Sequence, residues 1–101
     1  MKPSNLFSLK DKVILITGGY GHLGATISMA LAEAGGNVVV LGRDEKKFNA
    51  AFKSFRDHTI SFQKCDLEKS AQIKKAFSVV AKKHGKIDVL INNGFYCRGS
   101  K

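Results

Sequence analysis

The segment Asp11–Gly24, DKVILITGGYGHLG, has the residue types and spacing of a phosphate-binding turn. An apolar run, Val13–Ile16, leads into Thr17 and a group of glycines, after which apolar residues recur at helical spacing from Leu23. A strand, a glycine turn and a helix in this order present free backbone N–H groups and a helix N-terminus to a phosphate. Glycine permits the unusual backbone angles of the turn and lets a pyrophosphate approach the main chain. The segment therefore predicts dinucleotide binding, the alternative being a βα turn with no ligand. The glycines are Gly18, Gly19, Gly21 and Gly24.

The predicted strands and helices that would position this turn alternate along the chain. Strands that are apolar on both faces, separated by amphipathic helices, predict a parallel sheet covered by helices. With right-handed crossovers the expected fold is α/β, an incomplete Rossmann-type doubly wound sheet of strand order 3-2-1-4, in one partial domain over residues 1–101. The predicted strands are Val13–Ile16, Val38–Leu41, Ile60–Lys64 and Ile87–Ile91, and the predicted helices are His22–Ala34, Asp44–Arg56 and Glu68–Lys83.

Composition narrows the class of protein. The chain has 101 residues, 44% of them apolar and 25% charged, which is typical of a soluble globular domain. The N-terminus has no apolar signal-peptide core, and no apolar run approaches the ~20 residues of a membrane span. Cys65 and Cys97 lack metal-site spacing and are expected to be reduced thiols. We therefore expect a cytoplasmic protein with no membrane partner.

The net charge of +9 raises the question of nucleic-acid binding. The basic residues are, however, dispersed over the polar faces of the predicted helices, and no aromatic-rich RNA-binding signature accompanies them. Solvated helix faces are the interpretation that this dispersion favours, so nucleic acid is not the expected partner. The alternative is a non-catalytic nucleotide-sensing or basic nucleic-acid-associated module.

Three ordered motifs carry a resemblance to a known family. After the glycine turn, Asp66-Leu67 directly follows the third strand and Asn92-Asn93-Gly94 directly follows the fourth. Over residues 9–94 the chain resembles the N-terminal, cofactor-binding part of a short-chain dehydrogenase/reductase. Its turn fits TGxxGxxG, the pattern of the extended branch of that family, whereas the other two motifs resemble the compact branch.

The resemblance implies roles within the turn. Thr17 would form a hydrogen bond within the turn, and Gly18 and Gly24 would permit its tight course and the close packing of the helix. His22 is either a substituted turn residue or an imidazole beside the phosphates, where the helix N-terminus disfavours a positive charge. The backbone that would face the pyrophosphate belongs to Gly21, His22 and Leu23.

The end of the second strand bears on the choice between NAD and NADP. A carboxylate there would accept hydrogen bonds from the ribose 2′-OH of NAD and repel a 2′-phosphate. The carboxylate position holds Gly42, and Arg43 follows, whose guanidinium can hold a phosphate through two parallel hydrogen bonds. The expected cofactor is therefore NADP, with NAD as the alternative. Asp44 either caps the next helix or neutralises Arg43.

The other two motifs would contact the adenosine and the nicotinamide ribose. By resemblance, the Asp66 carboxylate accepts a hydrogen bond from the adenine amino group, and the Leu67 N–H reaches a ring nitrogen. The alternative for Asp66 is a helix N-cap. Asn92, Asn93 and Gly94 would bridge neighbouring strands beside the nicotinamide ribose, although Phe95 replaces the second glycine of the family motif.

The family's later Tyr-x-x-x-Lys pair is absent from these residues. Tyr20 is followed four positions later by Gly24, and Tyr96 by Ser100. The resemblance implies a longer, homo-oligomeric parent enzyme that transfers a hydride between a nicotinamide and a small alcohol or carbonyl substrate. We expect this chain to be a fragment or truncated product that binds the cofactor without turning over substrate.

Overall fold

The computed structural model describes residues 8–18, 22–53 and 59–93, with the side chain of His22 left out. Strands and helices alternate throughout the described part of the chain. In chain order the elements are β1 (Val13–Thr17), α1 (His22–Glu33), β2 (Asn37–Gly42), α2 (Glu45–Ala51), β3 (Ile60–Lys64), α3 (Ser70–His84) and β4 (Val89–Asn92).

The strands form one parallel sheet in the order β3-β2-β1-β4, which confirms the predicted topology. The register aligns the strand ends, because Thr17 is opposite Leu41 on one side and Asn92 on the other. Gly42 is opposite Lys64 in the same way. All four carboxyl ends therefore lie at one edge of the sheet, where ligands of open α/β sheets bind.

The core lies on both faces of the central strands. Successive strand residues point to opposite faces, so β1 and β2 are buried along almost their whole length. One face packs against α3 through Val13, Leu15, Val39, Leu41, Cys65, Ala76 and Val80. The other packs against α1 and the end of α2 through Ile16, Val38, Val40, Ala32 and Phe52.

The buried face of α1 differs from the predicted one. We expected Leu23 to point inward, but its side chain is 62% exposed. The buried residues of the helix are instead Gly24, Ser28 and Ala32, which are spaced four residues apart on one face. Gly24 turns inward because the helix backbone approaches the turn there, and Leu23, one position earlier, is thereby rotated outward.

Helix boundaries shift for local reasons. α2 begins at Glu45 because Asp44 caps it, the carboxylate accepting the Lys47 N–H at 3.1 Å. The helix ends at Ala51, short of the predicted Arg56, and residues 54–58 lie outside the described part. α3 begins at Ser70 rather than Glu68, after Lys69 as N-cap. It ends at His84, one residue after the predicted Lys83, and Gly85 is its C-cap, with a φ of 83° that suits glycine.

β4 begins at Val89, two residues later than predicted, and is the least covered strand. In the described part of the chain it pairs with β1 alone. Its side chains Val89 and Leu90 are 39% and 51% exposed. The sheet therefore presents an apolar strand at the β4 edge.

Candidate dinucleotide-binding site

A cleft of about 580 Å³ opens at the carboxyl edge of the sheet. The ends of all four strands and the first turns of α3 contribute to its walls, so the fold itself brings together residues that are distant in sequence. The lining residues are Thr17, Gly18, Leu41, Gly42, Arg43, Cys65, Asp66, Leu67, Glu68, Ile73, Phe77, Leu90 and Asn92.

Six of the twelve residues predicted from the motifs line this cleft. Those that line it are Thr17, Gly18, Arg43, Asp66, Leu67 and Asn92. Gly24 and Asn93 lie behind the turn, where they contact Gly18. His22 opens α1, and Leu23 follows in its first turn. Gly21 and Gly94 lie outside the described residues.

The wall between β1 and β4 is closed by a side-chain hydrogen bond. Thr17 Oγ1 donates to Asn92 Oδ1 at 2.9 Å, between residues that are opposite each other in the sheet register. The bridging of neighbouring strands expected of Asn92 is thus present. The amide oxygen of Asn92 accepts this bond, and its amide nitrogen can donate to another group.

The glycine turn and α1 approach each other closely. Gly18 has a φ of 68°, and Asn93 Nδ2 donates to its carbonyl oxygen at 3.3 Å. A Cβ on Gly24 would overlap Gly18 O and lie 2.8 Å from Asn93 Nδ2. The first turn of α1 contains no acidic residue, so the partial positive charge of its N-terminus is not opposed there.

Of the two alternatives for Asp44, which follows β2, helix capping is present. Its carboxylate caps α2, as the Lys47 contact shows. Gly42, at the position where an NAD-type carboxylate would stand, is buried, and Arg43 is exposed at the wall of the cleft. The cationic side chain is thus the group that this strand end offers to a ligand.

Asp66 is held at three points just beyond β3. Its Oδ1 accepts the Glu68 N–H at 3.0 Å, and its carbonyl oxygen accepts the Lys69 N–H at 3.0 Å. Its own N–H donates to Gln72 Oε1 at 2.9 Å. The alternative that Asp66 is the helix N-cap is wrong, because Lys69 occupies that position. Leu67, the next residue of the motif, is 38% exposed at the cleft.

The family profile described as short chain dehydrogenase matches residues 12–98. This chain belongs to that family. It is an oxidoreductase family whose Rossmann fold binds nicotinamide cofactors.

Individual members of the family are also similar to this chain in sequence or structure. A 3beta-hydroxysteroid dehydrogenase of Mediterraneibacter gnavus is 30% identical over 90% of this chain and 34% of its own length. The Pseudomonas aeruginosa RhlG/NADP active-site complex superposes with a TM-score of 0.77 at 26% identity, over 92% of this chain and 37% of that one. The 3-ketoacyl-(acyl-carrier-protein) reductase of Brucella melitensis complexed with NADH gives 0.73 at 29% identity, over 82% and 34%. The chain spans about a third of the length of the curated relatives it matches.

Cys65 lies in the wall of this short chain dehydrogenase cleft without reactive character. Its side chain is fully buried. Burial raises the pKa of the Cys65 thiol, and the negative charge of Asp66 raises it further. At neutral pH the group is a neutral thiol that fills space, as the sequence predicted.

Two contributions to the cleft were not predicted from the sequence. Leu90 of β4 lines it with a side chain that is 51% exposed. Gln72 tethers Asp66, and its place at the third position of α3 is a signal that could have revealed it, since Gln or Glu there often reaches back toward the start of the helix.

Two other kinds of site are not found within residues 8–18, 22–53 and 59–93. These residues contain no group of three or more His, Cys, Asp and Glu side chains that could hold a metal ion. None of their helices has the length and apolarity to cross a membrane.

Proposed function

We propose that this chain binds NADP(H) and forms the cofactor-binding part of an oxidoreductase that acts on an alcohol or carbonyl substrate. The observation that carries the proposal is the single cleft that gathers the glycine turn and the ends of β2, β3 and β4. Its lining includes the start of the glycine turn, the Arg43 cation, the Asp66 carboxylate and the Asn92 amide. Those are the groups that a phosphorylated dinucleotide requires.

The pyrophosphate would lie over the turn and the N-terminus of α1. Gly18 and Gly24 bring the two segments so close that no Cβ fits at Gly24. A ligand at this point meets main-chain N–H groups rather than side chains. Gly21, His22 and Leu23 would contribute these backbone groups.

Arg43 would hold the 2′-phosphate of NADP. It follows Gly42 at the end of β2, where NAD-specific sites carry a carboxylate. The exposed guanidinium offers a planar pair of donors to a phosphate. This arrangement favours NADP over NAD, while the similar structures include one complex with each coenzyme.

The adenine and the nicotinamide ribose would occupy opposite ends of the cleft. Asp66 and Leu67 would bind the adenine through a carboxylate oxygen and a backbone N–H. Asn92, Asn93 and Gly94 would border the ribose next to the nicotinamide. The Thr17–Asn92 and Asn93–Gly18 hydrogen bonds support this assignment, because they fix the asparagines beside the turn.

When bound, the nicotinamide supplies or accepts the hydride. This chain has no Tyr-x-x-x-Lys pair to move the accompanying proton. It also spans only about a third of its relatives. We therefore propose that catalytic and substrate residues belong to a longer, homo-oligomeric polypeptide, and that these residues alone bind without turnover. Reading the source gene in frame beyond the codon for Lys101 tests this.

Binding itself is tested by titrating the isotope-labelled chain with NADPH and following its amide signals by NMR. The expected result is a saturable change at Gly18, Arg43 and Leu67. The far end of α3, at Lys82 and Gly85, is the internal control and should not move. An absence of saturable change at the cleft, or equal changes at both places, would contradict the proposed function.

A further inference from the structure

The loop between β3 and α3 is closed by a side chain that no motif includes. Gln72 Oε1 accepts the Asp66 N–H at 2.9 Å, across six residues of sequence. Gln72 is the third residue of α3, a position from which Gln usually satisfies the N–H of the N-cap residue. Here the N-cap Lys69 N–H donates to the carbonyl oxygen of Asp66. The Gln72 side chain is therefore available to reach further back.

These contacts determine what Asp66 can offer to a ligand. Its N–H is held by Gln72, its carbonyl oxygen by Lys69, and its Oδ1 by Glu68. Both main-chain groups and one carboxylate oxygen are thus engaged within the loop. Oδ2 is the carboxylate oxygen left for an external donor.

We propose that Gln72 is a positioning residue for adenine recognition, an inference that rests on the proposed function. By holding the Asp66 N–H, Gln72 fixes the main chain where it leaves β3. That restraint sets the direction of Oδ2 of Asp66 and of the Leu67 N–H, which follows in the chain. Gln72 itself contacts no ligand and acts through Asp66.

The test compares NADPH with its hypoxanthine analogue, in which a carbonyl oxygen replaces the adenine amino group. Dissociation constants for the 101-residue chain are measured by calorimetry. Because the adenine amino group would donate a hydrogen bond to the Asp66 carboxylate, the unmodified chain should bind NADPH on the order of tenfold more tightly than the analogue. Gln72→Met keeps the side-chain length but removes the acceptor, so this preference should fall close to one. Gln72→Glu retains an acceptor oxygen and should restore the preference.

The preference ratio separates positioning from a structural role. A merely structural loss would weaken both coenzymes equally and leave the ratio unchanged. Gln63→Met is the matched control, because this half-buried glutamine donates to Lys64 O outside the cleft. If the Gln72→Met chain has the same preference ratio as the unmodified chain, the inference about Gln72 is wrong and the proposed function is not affected. If the unmodified chain binds neither coenzyme, the proposed function is wrong. If it binds both coenzymes equally well, Asp66 does not recognise the adenine, and the inference about Gln72 is wrong as well.

Discussion

Asp88 and Val13 are joined by two hydrogen bonds across 75 residues of sequence. The carboxylate of Asp88 accepts the Val13 N–H at 2.7 Å, and the Asp88 N–H donates to Val13 O at 2.9 Å. Lys86 Nζ lies 3.3 Å from the same carboxylate oxygen. This pair fixes the amino end of β4 against β1, at the opposite edge of the sheet from the cleft.

The Asp88 contact predicts a loss of stability in acid. The Val13 N–H lowers the pKa of this carboxyl below its ordinary 3.8, partial burial opposes the shift, and Lys86 and Lys12 reinforce it. A lowered pKa in the folded state means that the stabilisation is complete above the unfolded-state value and is lost as the pH falls through the folded-state value. The free energy of unfolding should therefore decrease below about pH 4.

The Asp88→Asn chain should be less stable at neutral pH and should show a weaker acid dependence. Urea unfolding followed by circular dichroism suits the measurement, because the chain has no tryptophan. Glu33→Gln, at an exposed glutamate of α1, is the control and should leave the acid dependence unchanged. Parallel pH profiles for Asp88→Asn and the unmodified chain would show that this contact does not carry the effect.

Arg43→Asp should change coenzyme preference. The variant replaces the cation that would hold the 2′-phosphate with a carboxylate that repels it and accepts the ribose hydroxyl of NAD. The ratio of the dissociation constants for NADPH and NADH should rise by at least about tenfold, the scale of one charge-assisted hydrogen bond.

Lys74→Asp makes the same change in net charge on α3, away from the cleft lining. It should lower the affinity for both coenzymes slightly and equally. If the ratio of the dissociation constants for NADPH and NADH is the same in Arg43→Asp and Lys74→Asp, Arg43 does not select the coenzyme.

Gly24→Ala should disturb both stability and binding. Its Cβ would overlap Gly18 O, which is backbone and cannot move aside cheaply. Overpacking of this kind costs about 1–3 kcal/mol. Thermal melting should show the loss, and NADPH affinity should fall because α1 is pushed away from the turn.

Gly85→Ala is the matched glycine substitution. Nothing lies within 4 Å of a Cβ at Gly85, so only its φ of 83° opposes the change. This variant should lose stability through the backbone alone and keep its NADPH affinity. Equal loss of affinity in the two variants would mean that the Gly24 contact is irrelevant to binding.

Salt dependence distinguishes coenzyme binding from binding of a nucleic-acid backbone. The chain carries a net charge of +9, and contacts with many phosphates would lose affinity by orders of magnitude between about 50 and 200 mM salt. NADPH affinity should fall far less, and an unspecific DNA duplex should bind weakly at the lower salt. Tight duplex binding with a steep salt slope would favour the nucleic-acid alternative.

The sequence predicted the elements that depend on local composition. β3 has the predicted bounds, Ile60–Lys64, and the strand order has the Rossmann-type arrangement expected with right-handed crossovers. The inward face of α1 was predicted wrongly at Leu23, because the close approach of Gly24 to Gly18 rotates the helix. That approach depends on a non-local contact, which helical periodicity does not contain.

The candidate site, like the fold, was predicted only in part from the sequence. The motifs predicted which residues would meet at the strand ends, since parallel strands end at one edge. They did not predict the tether from Gln72 to Asp66, because that contact depends on a side-chain direction in the first turn of α3. Nor did they predict that Thr17 Oγ1 donates to Asn92 Oδ1 of β4.

The place of β1 in the sheet has a consequence for synthesis on the ribosome. β1 is made before β4, its second neighbour in the sheet, and contacts such as Thr17–Asn92 span 75 residues. Until β4 emerges, the nascent chain has an open hydrogen-bonding edge along Leu15 and Ile16. Contacts so distant in sequence form late and slowly. The growing polypeptide is thus exposed to aggregation until its fourth strand arrives, a stage at which chaperones have an apolar strand to bind.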